Sequence, residues 1–259
     1  MAIGRVRTFA ALLAIAVVWP TAAMAATDSA STALDNAVAG LKGQGYDLSG
    51  STGSTANGAD GKLDASGSVD PQDNAATLDF QGTIGGNPVD VDFTQVGDAF
   101  YAKLDLGALQ NQLGVPATQW MKVDESKLQP DSSAIPFDMS GSSDALDIAG
   151  LLTSVSDVHF AQPGDTTHIE GTVDLTAATG VAAPDSGDVA TAGAAAKATP
   201  FTATLDDQGR LTDLQVNADA FDGNLSEEIA FSHFGSPESV SAPAASVPAP
   251  PAAYDFFNS

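Results

Sequence analysis

The residues best equipped to do chemistry lie in "SDVHFAQPGDTTHIEG", Ser156 to Gly171. A hairpin centred on Pro163-Gly164 sets His159 opposite His168 and Asp157 opposite Glu170, with Val158 and Ile169 sharing the other face. Two imidazoles and two carboxylates on one surface are a donor set that Zn²⁺ accepts. The same residue types also clothe a solvated strand face, and Pro-Gly is not a favoured two-residue hairpin turn. The expectation is therefore a wet strand face that holds no metal and no cofactor.

Other arrangements carry less. Asp90 and Asp92 resemble a paired acid and base, but alternate strand positions simply mark one face, and Lys103 falls across from Asp92. That spacing predicts a surface ion pair. His233 stands alone near the end of a strand. "GQGYDLSG", from Gly43 to Gly50, imitates a dinucleotide-binding pattern. It leaves a helix and opens a strand, the reverse of what phosphate binding at a helix N-terminus requires. The chain has no G-x-S-x-G elbow, no H-E-x-x-H and no cysteine. Nucleophile, base and orienting group nowhere come together, so the sequence does not read as an enzyme.

The elements that must position these residues are mostly strands. "VDVDFTQVGDAFYAKLD", Val89 to Asp105, folds at Gly97-Asp98 so that Val91 meets Leu104 and Phe93 meets Ala102. On the other parity Asp92 meets Lys103 and Thr94 meets Tyr101, and Gly97 suits the first central position of a type II′ turn. Period-two patterning predicts further strands at Tyr46–Ser54, Leu63–Val69, Ala76–Ile84, Val89–Val96 and Ala99–Leu106. Six more follow in "TQWMKVD", "SDVHF", "THIEGTVDL", "PFTATLD", "RLTDLQVNA" and "LSEEIAFSHF". Helical spacing appears in "TALDNAVAGLKGQG", through Leu34, Val38 and Leu41, in "DALDIAGLLTSV", and in the Ala-rich Ser186–Ala198.

About eleven strands at about 4.8 Å spacing make a sheet roughly 50 Å wide. Three helices about 10 Å across cover roughly 30 Å of it. The remaining apolar face has to hide by curling. The predicted fold is α+β: a strongly curved antiparallel half-barrel with a few helices over an apolar cavity. Strand parity assigns to that cavity Leu78, Phe80, Val91, Phe93, Phe100, Leu104, Phe201, Leu205, Ile229 and Phe231. Periodicity alone leaves a second arrangement open, two sheets packed as a filled sandwich.

The ends read differently from the body. Arg5 and Arg7, the apolar run "FAALLAIAVVW" and the A-x-A site at Ala23-Met24-Ala25 form a secretory signal peptide over residues 1–25, with cleavage expected after Ala25. Residues 26–242 form one domain. Residues 243–259 are a Pro/Ala-rich tail, expected to be an extended linker that cannot form a helix, ending in Tyr254, Phe256 and Phe257. The formal charge of −24 repels polyanions, which argues against nucleic acid and against anionic lipid surfaces as partners.

The order of motifs resembles the LppX/LprG-type envelope lipoproteins of actinobacteria, which are similar in fold to the LolA/LolB lipoprotein carriers. The points of likeness are "GSVD" at 67–70, the hairpin 89–105, "WMKVD" at 120–124, "GTVDLT" at 171–176, "PFTATLDDQGRLTDLQV" at 200–216 and "FSHFGSP" at 231–237. The resemblance implies a cavity that binds acyl chains of a lipid or glycolipid and carries them through the cell envelope, with membrane or envelope proteins as donor and acceptor. It also implies a lipobox cysteine after the signal peptide, and "AMAATDSA" has none. A secreted or wall-retained carrier without a lipid anchor is the expectation. The alternative is an exported interaction module with a filled core, acting through its tail or its loop rims.

Overall fold

A computed structural model describes residues 29–54, 61–84, 86–107, 110, 116, 118–129, 146–179, 189–190, 192–218 and 225–258. The expected signal peptide lies outside them. Twelve strands form one sheet: β1 Tyr46–Ser54, β2 Gly61–Asp70, β3 Ala75–Ile84, β4 Asn87–Val96, β5 Ala99–Asp105 and β6 Met121–Val123, then β7 Val155–Phe160, β8 His168–Val173, β9 Thr199–Leu205, β10 Leu211–Ala218, β11 Leu225–Ser232 and β12 Val247–Pro248. Their order across the sheet is β12-β6-β5-β4-β3-β2-β1-β11-β10-β9-β8-β7. Neighbours are antiparallel except β12, which runs parallel to β6. The two end strands do not meet, so the sheet is open. Helices α1 Ala30–Leu41, α2 Ile148–Leu151 and α3 Pro251–Phe257 complete an α+β fold.

Register explains how one face becomes the core. Phe160, Ile169, Ala203, Leu214, Ile229, Gly50, Ala65, Phe80, Val91 and Leu104 pair in turn across ten strands. A second row runs Phe231, Leu48, Gly67, Leu78, Phe93, Ala102, Met121 and Val247. The alternate positions carry Ser, Thr, Asp and Lys. The rows thin to Gly and Ala in β1 and β2, and the crowding there is severe. A Cβ on Gly50 would lie 2.6 Å from the Glu228 carbonyl oxygen, and one on Gly67 would run into the Thr77 carbonyl. Glycines at such points let neighbouring strands close up and the sheet bend.

The hairpin of β4 and β5 matches its sequence reading residue for residue. Val91 pairs with Leu104, Phe93 with Ala102, Asp92 with Lys103 and Thr94 with Tyr101. Gly97 has φ +58°, as the first central position of a II′ turn demands. Helix α1 follows its apolar spacing too. Ser29 caps it by accepting from the Thr32 N–H at 3.2 Å, and Ala30, Leu34, Ala37, Val38 and Leu41 are buried.

Four expectations are corrected. The β7–β8 hairpin does not turn on Pro163-Gly164 alone. Asp165 accepts from the backbone of Thr167 and His168, widening the loop, and a bulge at Asp157 (φ +54°) shifts the register. His159 rather than Asp157 therefore pairs with Glu170, and Phe160 stands opposite Ile169, while Val158 still shares the inner face as expected. Among the described residues of "DALDIAGLLTSV", Ile148–Leu151 are helical, because Asp147 caps at Gly150 N and the chain enters β7 at Val155. Among the described residues of Ser186–Ala198, Val189, Ala190 and Ala192 are helical as expected, but the last four, Ala195–Ala198, tighten to a 3₁₀ turn.

The fourth correction is the tail. Val247–Pro248 forms the twelfth strand and Pro251–Phe257 a helix, with Ala253, Tyr254 and Phe257 in the core. Proline is excluded from helix interiors, but at the first helical position its fixed φ and missing N–H are assets. Compositional reasoning does not separate those positions.

Candidate functional site

Of the ten residues assigned to a cavity, eight are buried: Leu78, Phe93, Phe100, Leu104, Phe201, Leu205, Ile229 and Phe231. Phe80 and Val91 are half-buried against the same cluster. Phe93 stacks on Phe100 at 5.8 Å between ring centres, and Phe80 meets Phe93 edge-on at 6.3 Å. The β3–β5 part of the face is therefore packed with its own side chains.

Open space lies beside α1. A cleft of about 440 Å³ separates the helix from the turn ends of β7–β10 and the segment after β11. Its apolar walls are Ala33, Ala37, Leu41, Phe160, Leu205 and Phe234. Its polar groups are Asn36, Gln44, Thr166, Gln208 and Arg210. Leu205 is the one residue of the assigned set that lines it. A second cleft of about 290 Å³ runs along the other flank of α1, between Leu34, Val38 and Lys42 and the α2 region at Ala149, Leu152 and Thr153. The helix thus sits on its buried stripe with space on both sides.

The first cleft is the better-built one. Ala37, Leu41 and Leu205 carry its floor into the core. Its volume is in the range of small-molecule sites, and a few polar groups on an apolar wall are their usual make-up. Arg210 is the one arginine beyond Arg7 in a chain of formal charge −24. Its guanidinium lies 4.7 Å from the Phe234 ring centre, and its Nε donates to Asp206 Oδ2 at 2.7 Å. Burial pushes the Asp206 carboxyl up, but hydrogen bonds from the side chain and backbone of Arg210 outweigh it and hold the group below the usual range. The pair leaves the rim with no net charge. Sequence reasoning passed over Arg210 and Phe234, although the rarity of arginine in so acidic a chain was a signal.

The titratable clusters lie on the outer face. Lys103 Nζ is 2.5 Å from Asp92 Oδ2, the ion pair the sequence predicted. Burial, then the neighbouring Asp92, raises Asp79 to about 6, and the same two causes raise Asp90. His159 Nε2 stands 3.8 Å from Glu170 Oε2, and His168 Nδ1 3.0 Å from Asp165 Oδ2. The two imidazoles thus have separate partners. Among the described residues no three metal-ligating side chains converge. His233 is not isolated. Its Nδ1 lies 2.7 Å from Asp47 Oδ2, while Asp47 Oδ1 accepts from Ser68 Oγ at 2.6 Å and the Glu238 N–H at 2.9 Å.

No protein-family model matches the chain, and no curated protein matches it. Among solved structures, MucB in complex with the periplasmic part of MucA is similar at 14% identity and TM-score 0.32, over 82% of this chain and 57% of that one. The Pseudomonas aeruginosa MucA/MucB complex is similar at 15% identity and TM-score 0.34, over 82% of this chain and 58% of the other. The chain thus spans less than three-fifths of those proteins' length. A DUF1329 family protein from Desulfovibrio piger is similar at 11% identity and TM-score 0.22, over 83% of this chain and 96% of that one.

Proposed function

We propose that this is an exported protein that takes the long apolar chain of an amphiphile, a lipid or glycolipid, into the cleft beside α1 and carries it through the cell envelope. The observation that carries the reading is the cleft itself, about 440 Å³ with a floor of Ala37, Leu41 and Leu205 and a rim of amides and a paired arginine. An acyl chain gains about 0.8 kcal/mol for each methylene taken from water, so a short stretch of it gives useful affinity. The neutral rim of Arg210 and Asp206 suits an uncharged or zwitterionic head group in a protein whose overall field repels anions. The basic-then-apolar N-terminus and the LppX/LprG-like order of motifs support export and carriage rather than catalysis.

A second reading, an exported interaction module with a filled core, has its own support in the packed β3–β5 face and in the docked 247–258 segment. Filling the cleft separates the two. Ala33 lines it half-buried beside the buried stripe of α1, and Ala33→Phe changes none of the five stripe residues. A carrier loses at least tenfold in uptake of a fluorescent fatty acid while keeping its melting temperature. Unchanged uptake places the ligand elsewhere or removes the carrier reading.

A further inference from the structure

The guanidinium of Arg210 is held on one edge and one face and is open on its outer edge. Its Nε donates to Asp206 Oδ2 at 2.7 Å, and Nη2 lies 2.5 Å from the same oxygen. Asp206 is itself fixed, because its Oδ1 accepts from the Gln208 and Arg210 N–H groups at 2.9 and 3.0 Å. Phe234 covers one face of the plane. That ring is anchored in turn, 6.4 Å from the Tyr46 ring, and the next residue, Gly235, donates its N–H to the Gly45 carbonyl at 2.7 Å. What remains is the outer edge, made of Nη1 and the second N–H of Nη2, on a residue that lines the 440 Å³ cleft. Among the described residues nothing bonds to Nη1.

Two parallel N–H groups fit two oxygens of one oxyanion, and an edge held beforehand loses little freedom on binding. Two conditions then narrow the head group. An uncharged one leaves this edge without an ionic acceptor. One of net negative charge meets the field of a chain of formal charge −24, with the Asp206 carboxylate cancelling the local attraction. A zwitterion meets both conditions. The order of its charges matters as well. From the floor at Leu41 and Leu205 the cleft runs to Arg210 at the rim and then to an acidic surface. The matching sequence is apolar chain, oxyanion, cation. A phosphodiester between chain and amine has that order, whereas a betaine has the reverse.

We propose that Arg210 is the specificity-determining residue of the cleft, its outer edge taking the phosphate of a zwitterionic phosphodiester amphiphile whose cationic end faces outward. This rests on the carrier reading and narrows it to one class of head group.

The test is calorimetric titration of the exported protein with three dodecyl amphiphiles, each below its micelle-forming concentration. Dodecylphosphocholine has the matching charge order, dodecyl betaine the reverse, and dodecyl maltoside no charge. The phosphocholine binds about tenfold more tightly than either of the others. Arg210→Lys keeps the charge beside Asp206 but removes the edge, and brings that ratio to within about threefold at an unchanged melting temperature. An unchanged ratio in Arg210→Lys overturns the assignment. Should that variant not fold, the comparison of the three probes on the unaltered protein decides. Equal binding of all three, each weakened by Ala33→Phe, leaves the carrier reading standing and overturns this inference. Binding of none overturns both. Displacement of the phosphocholine by inorganic phosphate makes the cleft a free-phosphate site and equally overturns it.

Discussion

Asp79 stands between Ser66 and Asp92 on the outer face, two carboxylates side by side with Lys103 beyond. Burial and the Asp92 charge lift its pKa from 3.8 to about 6. The folded protein therefore binds a proton at Asp79 more tightly than the unfolded chain does. Between pH 6 and 4 the folded state holds more protons, so stability falls as pH rises through that window and is lower at pH 7 than at pH 5. Asp79→Asn removes this penalty. After discounting for solvent screening, it raises stability at pH 7 by about 1 kcal/mol and flattens the rise toward pH 5, measured by urea unfolding at both values. A mutant with the wild-type pH slope would place the penalty on Asp90 instead. The Asp92–Lys103 part of this cluster was legible in the sequence because hairpin register follows from turn length. The raised pKa was not, since Asp79 joins the cluster through β3, which is a different hairpin.

At the scale of elements, two glycines of different duty separate structure from slack. Gly67 leaves no room for a side chain, whereas a Cβ on Gly43 would have nothing within 4 Å. Gly67→Ala costs about 2–3 kcal/mol through backbone displacement between β2 and β3, in line with overpacked cores. Gly43→Ala gains about 0.4–1 kcal/mol by restricting the unfolded chain. Thermal unfolding of the pair checks both signs. The Asp47 carboxylate is the other fixed point, holding Ser68, His233 and the Glu238 N–H. Asp47→Ala frees that part of the chain and costs about 1–3 kcal/mol, visible as faster proteolysis near Glu238. Strand existence and the β1–β5 boundaries were readable because alternation over seven to ten residues is a strong signal. The 247–258 segment was not, because its two-residue strand has no period and its helix opens on the proline that composition counts against it.

Across the whole molecule, one apolar face is divided between two tasks. The β3–β5 half is closed by Phe80, Phe93 and Phe100 packing on one another, and the half under α1 retains two clefts. Width arithmetic from the sequence foresaw a curled sheet with too much apolar surface. It could not say where that surface would be filled, because filling depends on which strands carry the large aromatics and on where a 12-residue helix settles across them. The cleft is also where the chain's rare arginine was spent, next to Phe234 and Gln44. The measurement that bears most directly on the carrier reading is native mass spectrometry of the protein purified after export, followed by solvent extraction and lipid identification. A discrete excess mass that extracts as an acyl lipid, and is lost in Ala33→Phe, is the predicted result. A bare polypeptide mass that stays bare after incubation with lipid vesicles would contradict it.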